Sequence, residues 1–136
     1  MKRFFIALAA VLMTIGVWAQ EESAPNKYAF TVKGPERTYN QIRVVNHTSH
    51  VGFQCRVVFL NEDDSFMTLY GIYNLKGIDD TDSNSQEVRR GDRVGVQLAK
   101  DFPGEVTFSV EYRDYPFYDA ILIHIYDKTS GFDEEF

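Results

Sequence analysis

The stretch Asp80-Thr81-Asp82-Ser83-Asn84 sets three oxygen-bearing side chains, Asp80, Asp82 and Asn84, two residues apart. Loops that wrap a hard cation such as calcium present carboxylate and amide oxygens at this spacing. The match to the helix-flanked calcium loop is incomplete. Counted from Asp80, the sixth position is Ser85 where that loop needs glycine, and the twelfth is Gly91 where it needs a bidentate glutamate. An acidic, solvated crossover from Ile78 to Asp92 is the better expectation, with a calcium site as the alternative.

His47 and His50 add imidazole to the inventory. If consecutive strands run the height of a sandwich and alternate in direction, every second turn falls at the same end. The turn His47-Thr48-Ser49-His50, the acidic residues Asp79 to Asn84, and Asp101 would then gather there. Imidazole with carboxylate is a zinc ligand set. Against this, two histidines in a turn are most often polar turn residues with no ligand.

The same parity sends Asn61 to Ser65, Arg89 to Asp92 and Tyr112 to Asp119 to the opposite end. Tyr115, Phe117 and Tyr118 with Arg113 are more aromatic than turn formation requires. Exposed aromatics give contact area with a polar handle, so these four residues are the expected contacts for a protein or a glycan. The competing reading has Tyr112 and Phe117 plugging the end of the core. Arg90-Gly91-Asp92 spells an adhesion tripeptide, yet Gly-Asp before a strand is ordinary turn chemistry. Asn46-His47-Thr48 matches a glycosylation sequon, relevant only in a eukaryotic secretory pathway.

Catalytic signatures are missing: the chain has no Gly-x-Ser-x-Gly elbow, no His-Glu-x-x-His and no phosphate loop. Cys55, the single cysteine, lies within Phe53 to Phe59 on the apolar face of a strand, where free cysteine behaves as a small hydrophobe. No intramolecular disulfide can form. The expectation is a protein that is not an enzyme.

The address is legible. Lys2 and Arg3 precede an apolar run from Phe4 to Trp18, and Val17-Trp18-Ala19 suits signal peptidase, so residues 1–19 are expected to be a cleaved signal peptide. That apolar run, about 15 residues, is short for a membrane anchor, which needs roughly 20. No cysteine stands directly after the cleavage site, so a lipoprotein is excluded and the expected destination is the periplasm or the medium. Cleavage removes two of the 14 basic residues and leaves 12 against 20 acidic ones, a formal charge of −8. That balance argues against nucleic acid and anionic membranes as partners.

These residues need elements to position them. Residues 20–27 are a polar lead-in. Strands are expected at Tyr28 to Val32, Asn40 to Asn46, Gly52 to Leu60, Phe66 to Leu75, Gln86 to Val88, Arg93 to Ala99, Glu105 to Tyr112 and Ala120 to Tyr126. Gly71 marks a bulge or break in the fourth, and residues 129–136 form an acidic tail. Nothing in the mature chain keeps a helical period. An all-β domain over residues 28–128 follows, an antiparallel sandwich of about 7–9 strands with immunoglobulin-like architecture. An outer-membrane barrel is rejected because most strands fall short of the about 9–11 residues such a strand needs. The functional expectation is an exported binding module, with a calcium- or zinc-binding domain as the alternative and an enzyme third.

Overall fold

A computed structural model describes residues 26–114 and 119–128. Ten strands account for the regular structure: β1 Lys27–Thr31, β2 Thr38–Tyr39, β3 Gln41–Asn46, β4 Phe53–Leu60, β5 Phe66–Leu75, β6 Thr81–Asn84, β7 Val88–Arg89, β8 Arg93–Leu98, β9 Val106–Asp114 and β10 Asp119–Asp127. The protein is all-β, and among the described residues no helix is long and apolar enough to cross a membrane.

Two four-stranded sheets run β1-β8-β4-β5 and β6-β3-β10-β9, with β2 and β7 forming a small ribbon. Alternation along the strands sends one set of side chains inward. Phe30, Cys55, Val57, Tyr73, Val94 and Val96 from the first sheet meet Ile42, Val44, Ile121, Ile123 and Ile125 from the second in one buried cluster. This is the layered packing of a β-sandwich. β10 is apolar from Ala120 to Ile123 because it lies between β3 and β9 and is covered on both faces.

Two buried tyrosines of β5 fasten the sheets. The Tyr73 hydroxyl donates to the Ile42 carbonyl at 2.7 Å. The Tyr70 hydroxyl accepts from the Ile42 N–H at 3.0 Å and lies 2.8 Å from the Asn84 carbonyl. Loss of water raises both phenols above their ordinary value.

Several expectations need correction. The pairing is not wholly antiparallel: β10 runs parallel to β3, with Ile121 opposite Ile42 and Ile123 opposite Val44. The stretch Ile78 to Asp92 contains β6 in addition to β7, which overlaps the strand expected at Gln86 to Val88, and neither β6 nor β2 was foreseen. Two-residue strands carry too few alternations to be seen, and β6 is polar on both faces because it is an edge strand. The chain does not break at Gly71. Register shifts leave Tyr70 and Met67 as extra residues on β5, which bulges and continues. Asn26 and Lys27 belong to the fold rather than the lead-in: Lys27 opens β1, and Asn26 donates to the Gly104 carbonyl at 2.7 Å. The segment 1–19 expected to be a signal peptide, residues 20–25 of the expected lead-in and the expected tail 129–136 lie outside the described residues.

Candidate functional site

β6 is antiparallel to β3, with Val44 opposite Asp82 and Val45 opposite Thr81, so the side chains of Asp82 and Asn84 leave it on the side of β5. β5 is the edge of the other sheet, and its outward N–H groups lack a strand partner. The acidic row supplies one. Asp82 Oδ2 accepts from the Asn74 N–H at 2.9 Å, and Asp80 Oδ2 accepts from the Lys76 N–H at 2.8 Å. Their other oxygens accept from the N–H groups of Ser83 and Thr81, each at 2.9 Å. Backbone donors, Lys76 N–H foremost, hold the Asp80 carboxyl below its usual range. Asn84 packs against Gly71, where a Cβ would collide with its amide. Spacing by two thus serves the strand edge. A calcium ion at Asp80, Asp82 and Asn84 would compete with four backbone N–H groups already on the carboxylates.

The turns expected to share one end do so, joined by Asn46. This fully buried side chain donates to the carbonyls of Gly77 at 2.7 Å and His50 at 3.0 Å. Its Oδ1 accepts from Thr48 N–H at 2.9 Å and from Thr48 Oγ1 at 2.6 Å. The sequon asparagine is therefore a tether inside the fold. His47 Nδ1 comes within 3.4 Å of Asp79 Oδ1, whereas Asp80 and Asp82 turn away to β5. His50 packs edge-on against Phe102, with ring centres 4.9 Å apart, and so leaves His47. Among the described residues no group of three or more His, Cys, Asp and Glu converges as metal ligands.

A different row stands on the outer face of the second sheet. His47, just past β3, places Nε2 at 2.8 Å from Nδ1 of His124 on β10. His124 Nε2 is 2.8 Å from Glu111 Oε1 on β9, and Glu111 Oε2 accepts from Arg113 Nε at 2.9 Å and Nη2 at 2.6 Å. Tyr126 lies flat on His47, with centroids 4.5 Å apart and planes 7° apart. The Arg113 guanidinium, and then His124, hold the Glu111 carboxyl below its ordinary value. The row Asp79–His47–His124–Glu111–Arg113 draws on four separate stretches of chain, and of these residues His47, Asp79 and Arg113 were singled out from sequence, whereas Glu111 and His124 were not.

Arg113 is exposed at the far end of this row. Tyr115, Phe117 and Tyr118 lie outside the described residues. Tyr112 packs against the core, and its hydroxyl accepts from the Lys33 N–H at 3.0 Å, which is the capping role. At the base of the same hairpin Asp114 faces Asp119, and the hydrogen bond between them raises the Asp119 carboxyl. Arg90-Gly91-Asp92 is a turn: Gly91 has φ 99°, and Asp92 Oδ2 accepts from the Arg89 N–H at 2.9 Å. Cys55 is buried, and desolvation pushes its thiol up to about 12, so it is inert as a nucleophile.

Two overlooked signals pointed to the row. His124 is the one polar residue inside the apolar run Ala120 to Tyr126, and period-two alternation puts it on the same face as Tyr126. Comparison with protein-family models, curated proteins and solved structures finds no match.

Proposed function

We propose that this chain is exported through residues 1–19 and acts in the periplasm or the medium as a non-enzymatic, immunoglobulin-like sandwich that binds a glycan on the outer face of β3, β10 and β9. The observation that carries this reading is Tyr126, 41% exposed and stacked on His47, beside the His124–Glu111–Arg113 row. An aromatic ring offers a stacking platform for a sugar, and charged side chains fixed by one another offer preset hydrogen bonds to its hydroxyls. Arg113, Tyr115, Phe117 and Tyr118 extend the proposed contact, since residues 115–118 join β9 to β10. The inert thiol and the mutual engagement of the carboxylates support a binding role over catalysis.

The test is retention on soluble polysaccharides in native affinity electrophoresis. Tyr126→Ala and Arg113→Ala should abolish retention while leaving the melting temperature almost unchanged. Unaltered retention in both variants would overturn the assignment.

A second reading rests on β5, whose first half exposes Phe66, Met67 and Leu69 at 41%, 55% and 44% along a sheet edge. An extended segment of a protein partner could add to this edge. Under that reading Met67→Lys, not Tyr126→Ala, removes binding.

A further inference from the structure

We propose that the outer face of the first sheet receives an extended, acidic segment of a protein partner, seated along β5. The four strands of that sheet, β1, β8, β4 and β5, hold no aspartate or glutamate, although the chain has 20 acidic residues. They do hold Lys27, Arg56 and Arg93. Alternation and register put Lys27, Gln97, Arg56 and Ile72 in one row across the outer face. The following rows set Val58 beside Leu69 and Leu60 beside Phe66. Val58 and Leu60 form an apolar cluster of their own, apart from the core between the sheets.

Phe66, Leu69 and Ile72 make an apolar line along the outward side of β5, exposed at 41%, 44% and 52%. Exposed apolar side chains grouped in this way and rimmed by polar ones mark an interaction surface. β5 is a sheet edge, where an added strand pairs through its backbone and turns every second side chain towards this line. Pairing is open from Phe66 to Leu69, since Asn84 abuts Gly71 and Asp82 accepts the Asn74 N–H. Past Ile72 a cleft of about 420 Å³ runs to Lys100, with Arg56 and Gln97 along it. Gln97 fixes the Arg56 side chain, its Oε1 accepting from Nε at 3.3 Å and Nη2 at 2.9 Å. Arg93, at the other end of the face, is answered by Asp64 at 2.7 Å, whereas Lys27, Arg56 and Lys100 gather at the cleft end. An apolar line that ends among cations, on a chain otherwise negative, selects a partner with alternating apolar and carboxylate side chains.

This inference rests on the β5 reading and adds the charge of the partner. Three fluorescein-labelled seven-residue peptides, alternating valine with glutamate, with threonine or with lysine, are titrated into the exported chain and followed by fluorescence anisotropy. The glutamate peptide should bind at least about tenfold tighter than the other two and lose that margin at high salt. Arg56→Gln combined with Lys100→Gln should bring the glutamate and threonine peptides level. Arg89→Gln combined with Arg90→Gln, which removes the same charge elsewhere, should leave the margin intact. Equal binding of the glutamate and threonine peptides, abolished by Met67→Lys, would keep the β5 edge as a docking site and overturn the acidic partner. Binding of none of the three overturns both. A dimer of the peptide-free chain in sedimentation velocity, dissociated by Ile72→Glu, would give the face to a second copy. Binding that emerges only on removal of residues 129–136 would give it to the chain's own acidic tail, and either result overturns the proposal.

Discussion

Two polar rows cross this sandwich, and they differ in where their polar atoms go. In Asp80, Asp82 and Asn84 the carboxylate oxygens accept backbone N–H groups, two of them on the edge of β5. In Asp79, His47, His124, Glu111 and Arg113 the side chains face one another on an outer sheet face. The first row closes the gap between two sheet edges, which would otherwise leave N–H groups open to another chain. The second closes no strand edge: its side chains bond one another and stay partly exposed. Similar residue types thus serve architecture in one place and an accessible surface in another. Their partners, rather than their spacing, decide which.

The largest effect should come from Asn46→Ala, because Asn46 ties the His47–His50 turn to the turn at Gly77 through four hydrogen bonds in a fully buried position. Leaving two carbonyls and a hydroxyl without it is expected to cost about 3 kcal/mol, measured by urea denaturation. A loss under about 1 kcal/mol would mean that the turns hold themselves together.

Next comes Asp80→Ala combined with Asp82→Ala, which should lower the melting temperature by several degrees and cause concentration-dependent self-association in sedimentation velocity. The uncapped N–H groups of Asn74 and Lys76 would then extend the open half of β5. A monomer at all concentrations would show that the carboxylates are dispensable as an edge cap.

A smaller effect belongs to the pair Arg93 and Asp64, joined at 2.7 and 3.0 Å. The hydrogen bonds from Arg93 hold the Asp64 carboxyl below its ordinary value. A depressed folded value means the stabilisation is present above about pH 4 and is lost as pH falls through the folded value. Arg93→Ala should therefore cost about 1 kcal/mol at neutral pH, with the deficit narrowing in acid titrations monitored by circular dichroism. A deficit independent of pH would assign the loss to packing. The smallest effect is expected for His124→Gln, within about 0.5 kcal/mol of wild type, since the outer row holds no part of the core together.

How much of this was legible depended on sequence distance. Long strands with clear alternation, such as Phe53–Leu60 and Val106–Asp114, announced themselves, and so did the turn residues between them. The parallel seating of β10 on β3 did not, because residues 119–127 and 41–46 are brought together by pairing that leaves no local trace. Asp80, Asp82 and Asn84 drew attention because they are adjacent in sequence. The adjacency was real, but it served an edge whose position depends on the whole topology. The outer row escaped for the opposite reason. His47, Asp79, Glu111 and His124 are scattered, and only a register that sets His124 opposite Ser109 and Val45 brings them together.

The most direct test of the outer face is affinity electrophoresis on a panel of soluble polysaccharides, run with wild type, Asp80→Ala combined with Asp82→Ala, and Tyr126→Ala. At least one polysaccharide should retard wild type and the Asp80/Asp82 variant while Tyr126→Ala migrates freely. Retardation of Tyr126→Ala equal to wild type, or loss of retardation in the Asp80/Asp82 variant alone, would contradict the division between the two rows.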